Sequence, residues 1–190
     1  VLYSSAQTGK TTELKQLCWE LQQSGLYLPV SFEIRTNTKL KREDLPESQY
    51  VDGKEVVLVI DALDEVNGQK YEDLLEEIGG YAYEHPEMKM VLSCRSNFRR
   101  ERQLELFTEL FLEELSIDDA KNYATKREVN SDGFMRSIFA NQLEDFIKNP
   151  FFLNVLIDAY KEKGKQLPKS KAEIYRLFLK SSYNKEVKEK

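Results

Sequence analysis

The chain has 190 residues, 41% of them hydrophobic and 32% charged, with 8 Gly and 5 Pro. That balance excludes a disordered, collagenous or low-complexity protein, and the length suits one α/β domain with a small helical appendage. Lys+Arg 28 against Asp+Glu 33 leaves a net charge of -5, without the bulk positive charge of a nucleic-acid binder, and Cys18 and Cys94 make neither a disulfide framework nor a zinc pattern.

Val1–Tyr3 reads as a short strand running into a polar loop. A helix from Thr11 to about Gly25 follows, with Leu14, Leu17, Cys18 and Leu21 on one face. Pro29–Ile34 alternates like a strand, and Arg35–Lys54 reads as loop with a short helix. Val56–Ile60 is an unbroken β-favouring apolar run, as expected of a central strand covered on both faces. Tyr71, Leu74, Leu75, Ile78, Tyr81 and Ala82 share a helical face that His85-Pro86 closes, and Gly79-Gly80 is expected to bend or end that helix early. Met88–Cys94 and Phe107–Leu112 read as two further strands. Five strands interleaved with helices imply a parallel sheet with right-handed crossovers.

Beyond Leu115 the strands stop. Ser116-Ile117-Asp118-Asp119 resembles a capping box, and one helix over Ser131–Lys148 is expected to bury Phe139, Leu143, Phe146 and Ile147. Another starts near Pro150, and a last one follows the capping box Ser170-Lys171-Ala172-Glu173, burying Ile174, Leu177 and Phe178. The expected division is 1–115 for the α/β domain and 116–190 for the helical one. The apolar opening without Met and the charged close, Lys185 to Lys190, suggest a piece of a longer protein. The short apolar run predicts no membrane span, and reduced cysteines suit a soluble, cytoplasmic chain.

Ser4-Ser5-Ala6-Gln7-Thr8-Gly9-Lys10-Thr11-Thr12 lies between strand and helix and fits G-x-x-x-x-G-K-[ST] except that Ser4 replaces the first Gly. Backbone N–H groups of Ser5 to Thr12 would curl around a phosphate at the helix N-terminus. Lys10 would reach the β- and γ-phosphates, and the Thr11 hydroxyl would hold Mg2+. Asp61, ending the Val56 strand, would complete the metal site, since open parallel sheets place ligands at the C-terminal ends of their strands. Asp64 or Glu65 would orient or deprotonate the attacking water. Arg95, ending the Met88 strand, has the fork geometry to sense a γ-phosphate, with an ordinary ion pair as the alternative. His85 reads as a helix-end cation, Arg99-Arg100-Glu101-Arg102 as a solvated basic cluster, and the aromatics of 146–152 as helical core.

With those residues placed, the sequence resembles the NACHT family of STAND-type P-loop NTPases. The marks are Ile60-Asp61-Ala62-Leu63-Asp64-Glu65, Ser93-Cys94-Arg95, Phe111–Ser116, Asn149-Pro150-Phe151-Phe152-Leu153, and Leu167-Pro168 followed by Glu173-Ile174-Tyr175. The resemblance implies a three-layer α/β sandwich with a five-stranded parallel sheet in the order 5-1-4-3-2, followed by a small helical domain. It implies ATP or ADP with Mg2+ as ligands, with Pro150 near the adenine. It implies a signalling switch in innate immunity or defence: closed with ADP, exchanging to ATP, assembling into a homo-oligomer that drives an effector, and hydrolysing slowly. Sensor and effector domains would lie elsewhere. Two other readings compete. One is an additional-strand or AAA-like ATPase acting on nucleic acid, against which the acidic charge and the lack of a basic aromatic groove count. The other is a scaffold that binds nucleotide without hydrolysing it.

Overall fold

Alternation within one buried strand sets the layers of this protein. The computed structural model describes residues 1–35, 40–66, 69–99, 104–162, 166–170, 172–177 and 179. It divides into two compact units, Val1–Leu112 and Glu113–Lys190. In the first unit the strands are β1 (Leu2–Ser4), β2 (Tyr27–Glu33), β3 (Tyr50–Val51), β4 (Lys54–Asp61), β5 (Lys89–Arg95) and β6 (Leu110–Phe111). Its helices are α1 (Lys10–Ser24) and α2 (Gln69–Glu84). Val56, Leu58 and Ile60 of β4 pack with Leu75 and Ile78 of α2, while Val57 and Val59 pack with Leu14 of α1. A period of two thus puts one helix on each face of the sheet.

The sheet order is β2-β4-β5-β1-β6, with β3 paired to β4. Counting the parallel strands alone, this is the expected order; β3 is an added antiparallel strand. It arises because Asp52 (φ 51°) and Gly53 (φ 75°) form a two-residue turn in left-handed backbone, the geometry that suits a tight hairpin. Pro29 is accommodated in β2 because β2 is an edge strand, bonded among the described residues to β4 alone. The last strand is shorter than Phe107–Leu112: only Leu110 and Phe111 pair, and both side chains are exposed at the opposite edge.

Helix α2 neither ends nor breaks at Gly79-Gly80 and continues to Glu84. Two glycines cost about 1 kcal/mol each, whereas each large apolar side chain buried is worth about 1.5–3 kcal/mol. Tyr71, Leu74, Leu75, Ile78 and Tyr81 are all buried along this helix, so burial wins.

The second unit is helical: α3 (Ile117–Lys126), α4 (Ser131–Ala140), α5 (Glu144–Ile147), α6 (Pro150–Glu162) and a helical stretch over 172–177. Residues 113–115 fall in this unit, and Leu115 joins its core while its N–H donates to the Lys148 carbonyl at 2.8 Å. The expected capping box is present at α3: Ser116 Oγ accepts from the Asp119 N–H, and the Asp119 carboxylate accepts from the Ser116 N–H. The single helix expected over Ser131–Lys148 is two helices, since Gln142 adopts left-handed backbone (φ 55°) between α4 and α5. That break leaves Phe139 exposed, while Leu143, Phe146 and Ile147 are buried as expected. Ile174 is buried and Leu177 half-buried; Phe178, Lys171, Arg100 to Arg102 and the charged end lie outside the described residues. Among the described residues, no helix is long and apolar enough to cross a membrane.

Candidate functional site

Parallel register gathers the chemistry-bearing residues of the first unit at the C-terminal ends of the strands. Ser4, the last residue of β1, pairs with Arg95, the last residue of β5, and Glu33 of β2 pairs with Asp61 of β4. β4 runs parallel to β5 with Ile60 opposite Leu92, which brings Ser93 to Asp61. The segment after β1 therefore begins beside the segments that follow β4 and β5.

The Ser5–Gly9 loop turns through left-handed backbone at Gln7 (φ 62°) and Gly9 (φ 102°). At Gly9 any side chain would be strained, which accounts for the glycine immediately before Lys10. Gly9 is also the N-cap of α1 and carries no side chain to satisfy the free N–H groups of that helix, a positive terminus open to an anion. Ser5, Ala6, Gln7, Thr11 and Thr12 are exposed, and Thr8 is buried with its hydroxyl donating to the Ser5 carbonyl at 2.9 Å. Lys10 Nζ donates to Ser4 Oγ at 2.8 Å and to the Ser5 carbonyl at 3.3 Å. Burial pushes the Lys10 ammonium below the ordinary lysine value; Asp64 and Asp61 oppose that shift, while Arg95 adds to it. An anion brought to Nζ would oppose that shift by favouring the charged form.

Asp61 is buried at the tip of β4, and Ser93 Oγ donates to its Oδ1. The same Ser93 oxygen accepts from the Ala62 N–H at 2.9 Å, and Ala62 itself is left-handed (φ 63°). One buried serine thus fixes both the carboxylate and the sharp turn after it. Asp61 and Thr11 line one open groove of about 240 Å³, together with Glu33 and Trp19. A carboxylate and a hydroxyl facing one groove are the hard oxygen donors that Mg2+ takes alongside phosphate and water. The residues present therefore fit the implied ion.

Asp64 and Glu65 lie in a single 3-10 turn, Leu63–Glu65, yet meet different surroundings. Asp64 is buried against Arg95, whose backbone N–H donates to Oδ1 at 2.8 Å and whose Nε stands 3.0 Å from Oδ2. Glu65 is exposed, with Oε1 3.9 Å from Arg95 Nη2. Arg95 thus makes the ion pair that was its alternative reading, but to a buried carboxylate just beyond the end of β4 rather than a solvated one. Cys94 is wholly buried beside Tyr71, and burial pushes its thiol up, which suits a packing role.

Pro150 belongs to the second unit, where it is the first residue of α6. Asn149 Oδ1 accepts from the Phe151 N–H at 2.9 Å, so the Asn-Pro pair is a helix start with proline where no N–H is needed. Phe146 and Phe152 pack edge to face with centroids 5.4 Å apart, in keeping with the expected core role. Arg99 is held by Glu109 at 2.8 and 2.7 Å. Sequence reasoning missed Ser93 as a partner of Asp61, the hydroxyl of Ser4 as a partner of Lys10, and the pairing of Asp64 with Arg95. For Ser4 the departure from glycine was the available signal; the other two depend on strand register.

No protein-family model and no curated protein matches the sequence. Among solved structures, a single-residue variant of RuvB from Thermotoga maritima is similar over 93% of this chain and 59% of its own length, with 15% identity and a TM-score of 0.52. The structure described as the Thermotoga maritima RuvB Holliday junction branch migration motor aligns over the same shares at 15% identity, with a TM-score of 0.47. This chain thus spans about three-fifths of the length of the structures it resembles. The likeness is one of fold: a parallel α/β sheet with helices, matching the fold of RuvB.

Proposed function

We propose that the first unit binds ATP and ADP with Mg2+ and works as the nucleotide-dependent switch of a NACHT-type signalling NTPase, with slow hydrolysis and assembly into a homo-oligomer. The observation that carries the nucleotide reading is the convergence of Lys10, Asp61, Asp64 and Arg95 at the C-terminal end of the sheet, close enough for the three others to act on the Lys10 ammonium. Ser5, Ala6, Gln7, Thr8, Gly9 and Thr12 supply the loop and helix N–H groups that cradle phosphate, and Lys10 neutralises it. Thr11 and Asp61 hold Mg2+, which when bound offsets charge on the phosphate oxygens. Glu65 or Asp64 orients the attacking water, and Arg95 distinguishes ATP from ADP through the γ-phosphate. A switch requires that difference in affinity, because a ligand that binds two states equally shifts neither.

Nucleotide-dependent stabilisation tests the reading. At about 100 times its dissociation constant, ATP should raise unfolding free energy by about 2.7 kcal/mol. Lys10→Ala should abolish that gain, and equal ATP stabilisation in that variant would refute the loop assignment. Stabilisation without turnover would favour the scaffold reading. A second reading is an AAA-like ATPase working as a motor on nucleic acid, which the fold likeness to a RuvB variant fits at least as well. The expectation against a nucleic-acid partner rests on the acidic net charge and the lack of a basic aromatic groove in the sequence, and the fold likeness gives it no support. Turnover accelerated by DNA or RNA would favour the motor, and turnover indifferent to both would favour the switch.

A further inference from the structure

We propose that Asp64 is the positioning residue for Arg95, which leaves the water-orienting part to Glu65. The inference rests on the nucleotide reading above and divides the two neighbouring acids between two tasks. The Asp64 side chain is 3% exposed, and a buried carboxylate has to be paired. Both of its oxygens go to one residue: Oδ1 to the Arg95 backbone N–H at 2.8 Å, and Oδ2 to Arg95 Nε at 3.0 Å. A proton taken by Asp64 would neutralise the partner of a guanidinium that is itself only half exposed.

Contact through the backbone and Nε has a directional consequence. It fixes the plane of the guanidinium from its inner edge, while the terminal fork is the part suited to two-point contact with phosphate. The fork reaches outward to the exposed Glu65, 3.9 Å from Nη2. Arg95 ends β5 opposite Ser4, where the phosphate loop begins, so a fixed guanidinium plane there aims the fork with less rotamer freedom to lose on binding. Glu65, at 44% exposure and without a close partner among the described residues, keeps lone pairs for a water.

The test measures ATP and ADP affinities and turnover for the unsubstituted chain, Asp64→Asn, Arg95→Ala, the double variant and Glu65→Gln. Asp64→Asn and Arg95→Ala should each lower the preference for ATP over ADP by roughly tenfold, the size of one hydrogen bond involving a charged group. The double variant should be no worse than Arg95→Ala, because Asp64 acts through Arg95. Glu65→Gln should keep the preference and lose turnover. An Asp64→Asn variant that keeps the preference but loses turnover as Glu65→Gln does would overturn the inference, and so would additive effects in the double variant. Slow exchange of the Arg95 Nε–H in the unsubstituted chain, persisting with ATP, supports the pairing without any substitution; exchange at the rate of a free arginine overturns it. Absence of ATP binding by the unsubstituted chain would overturn the nucleotide reading and this inference with it, whereas an intact preference in Asp64→Asn would overturn this inference alone.

Discussion

Ser93→Ala removes one oxygen atom and two hydrogen bonds from the middle of the candidate site. Ser93 is 0% exposed, donates to Asp61 Oδ1 and accepts from the Ala62 N–H at 2.9 Å. A hydrogen bond to a charged group contributes about 1.5–3 kcal/mol, and a buried donor left without an acceptor costs about 1–3 kcal/mol. Ala62 is half-buried, so water relieves part of the second cost, and the combined loss should be about 2–4 kcal/mol. With a urea slope of about 2 kcal/mol per molar, the midpoint of the first unit should fall by about 1–2 M. Ser96→Ala, at an exposed position just beyond β5, should stay within about 0.5 kcal/mol and serves as the control. A Ser93→Ala variant as stable as that control would refute the claim that one buried hydroxyl organises the acid and the turn.

Two further outcomes concern the helical unit. Asn149→Ala should destabilise it by about 1 kcal/mol in denaturant melts by removing the cap that receives the Phe151 and Phe152 N–H groups, and an unchanged midpoint would argue against the cap. The Ser116 hydroxyl, followed by its N–H, holds the Asp119 carboxyl below its ordinary value of 3.8. A carboxyl lowered in the folded state contributes stability that is complete above 3.8 and is lost as pH falls through the lowered value. Asp119→Asn should therefore lose part of the acid sensitivity of the wild-type protein, and superimposable acid-unfolding curves would refute the assignment.

Local pattern made much of this molecule legible before any coordinates. The apolar run of β4, the stripe of α2 and the box at Ser116 each name their own element, because the interactions that form them lie within a few residues. The candidate phosphate loop could be proposed for the same reason, being a short segment whose glycine and lysine have fixed offsets. The β3 hairpin was missed although Asp52-Gly53 advertised it, since polar residues around it masked the strands. The break at Gln142 was missed because apolar spacing continues through it from Ile138 to Ile147. The bond from Ser93 to Asp61 and the pairing of Asp64 with Arg95 span about thirty residues, and only the alignment of β4 with β5 brings them together.

The serine that opens the proposed phosphate loop has a thermodynamic consequence of its own. Because Lys10 Nζ already rests on Ser4 Oγ and the Ser5 carbonyl, any incoming anion competes with hydrogen bonds the protein supplies to itself. The gain on occupancy is then a difference between two satisfied arrangements of the ammonium rather than the rescue of a bare one. A phosphate proposed for this loop would therefore gain less than at a bare ammonium, a difference that favours exchange over storage.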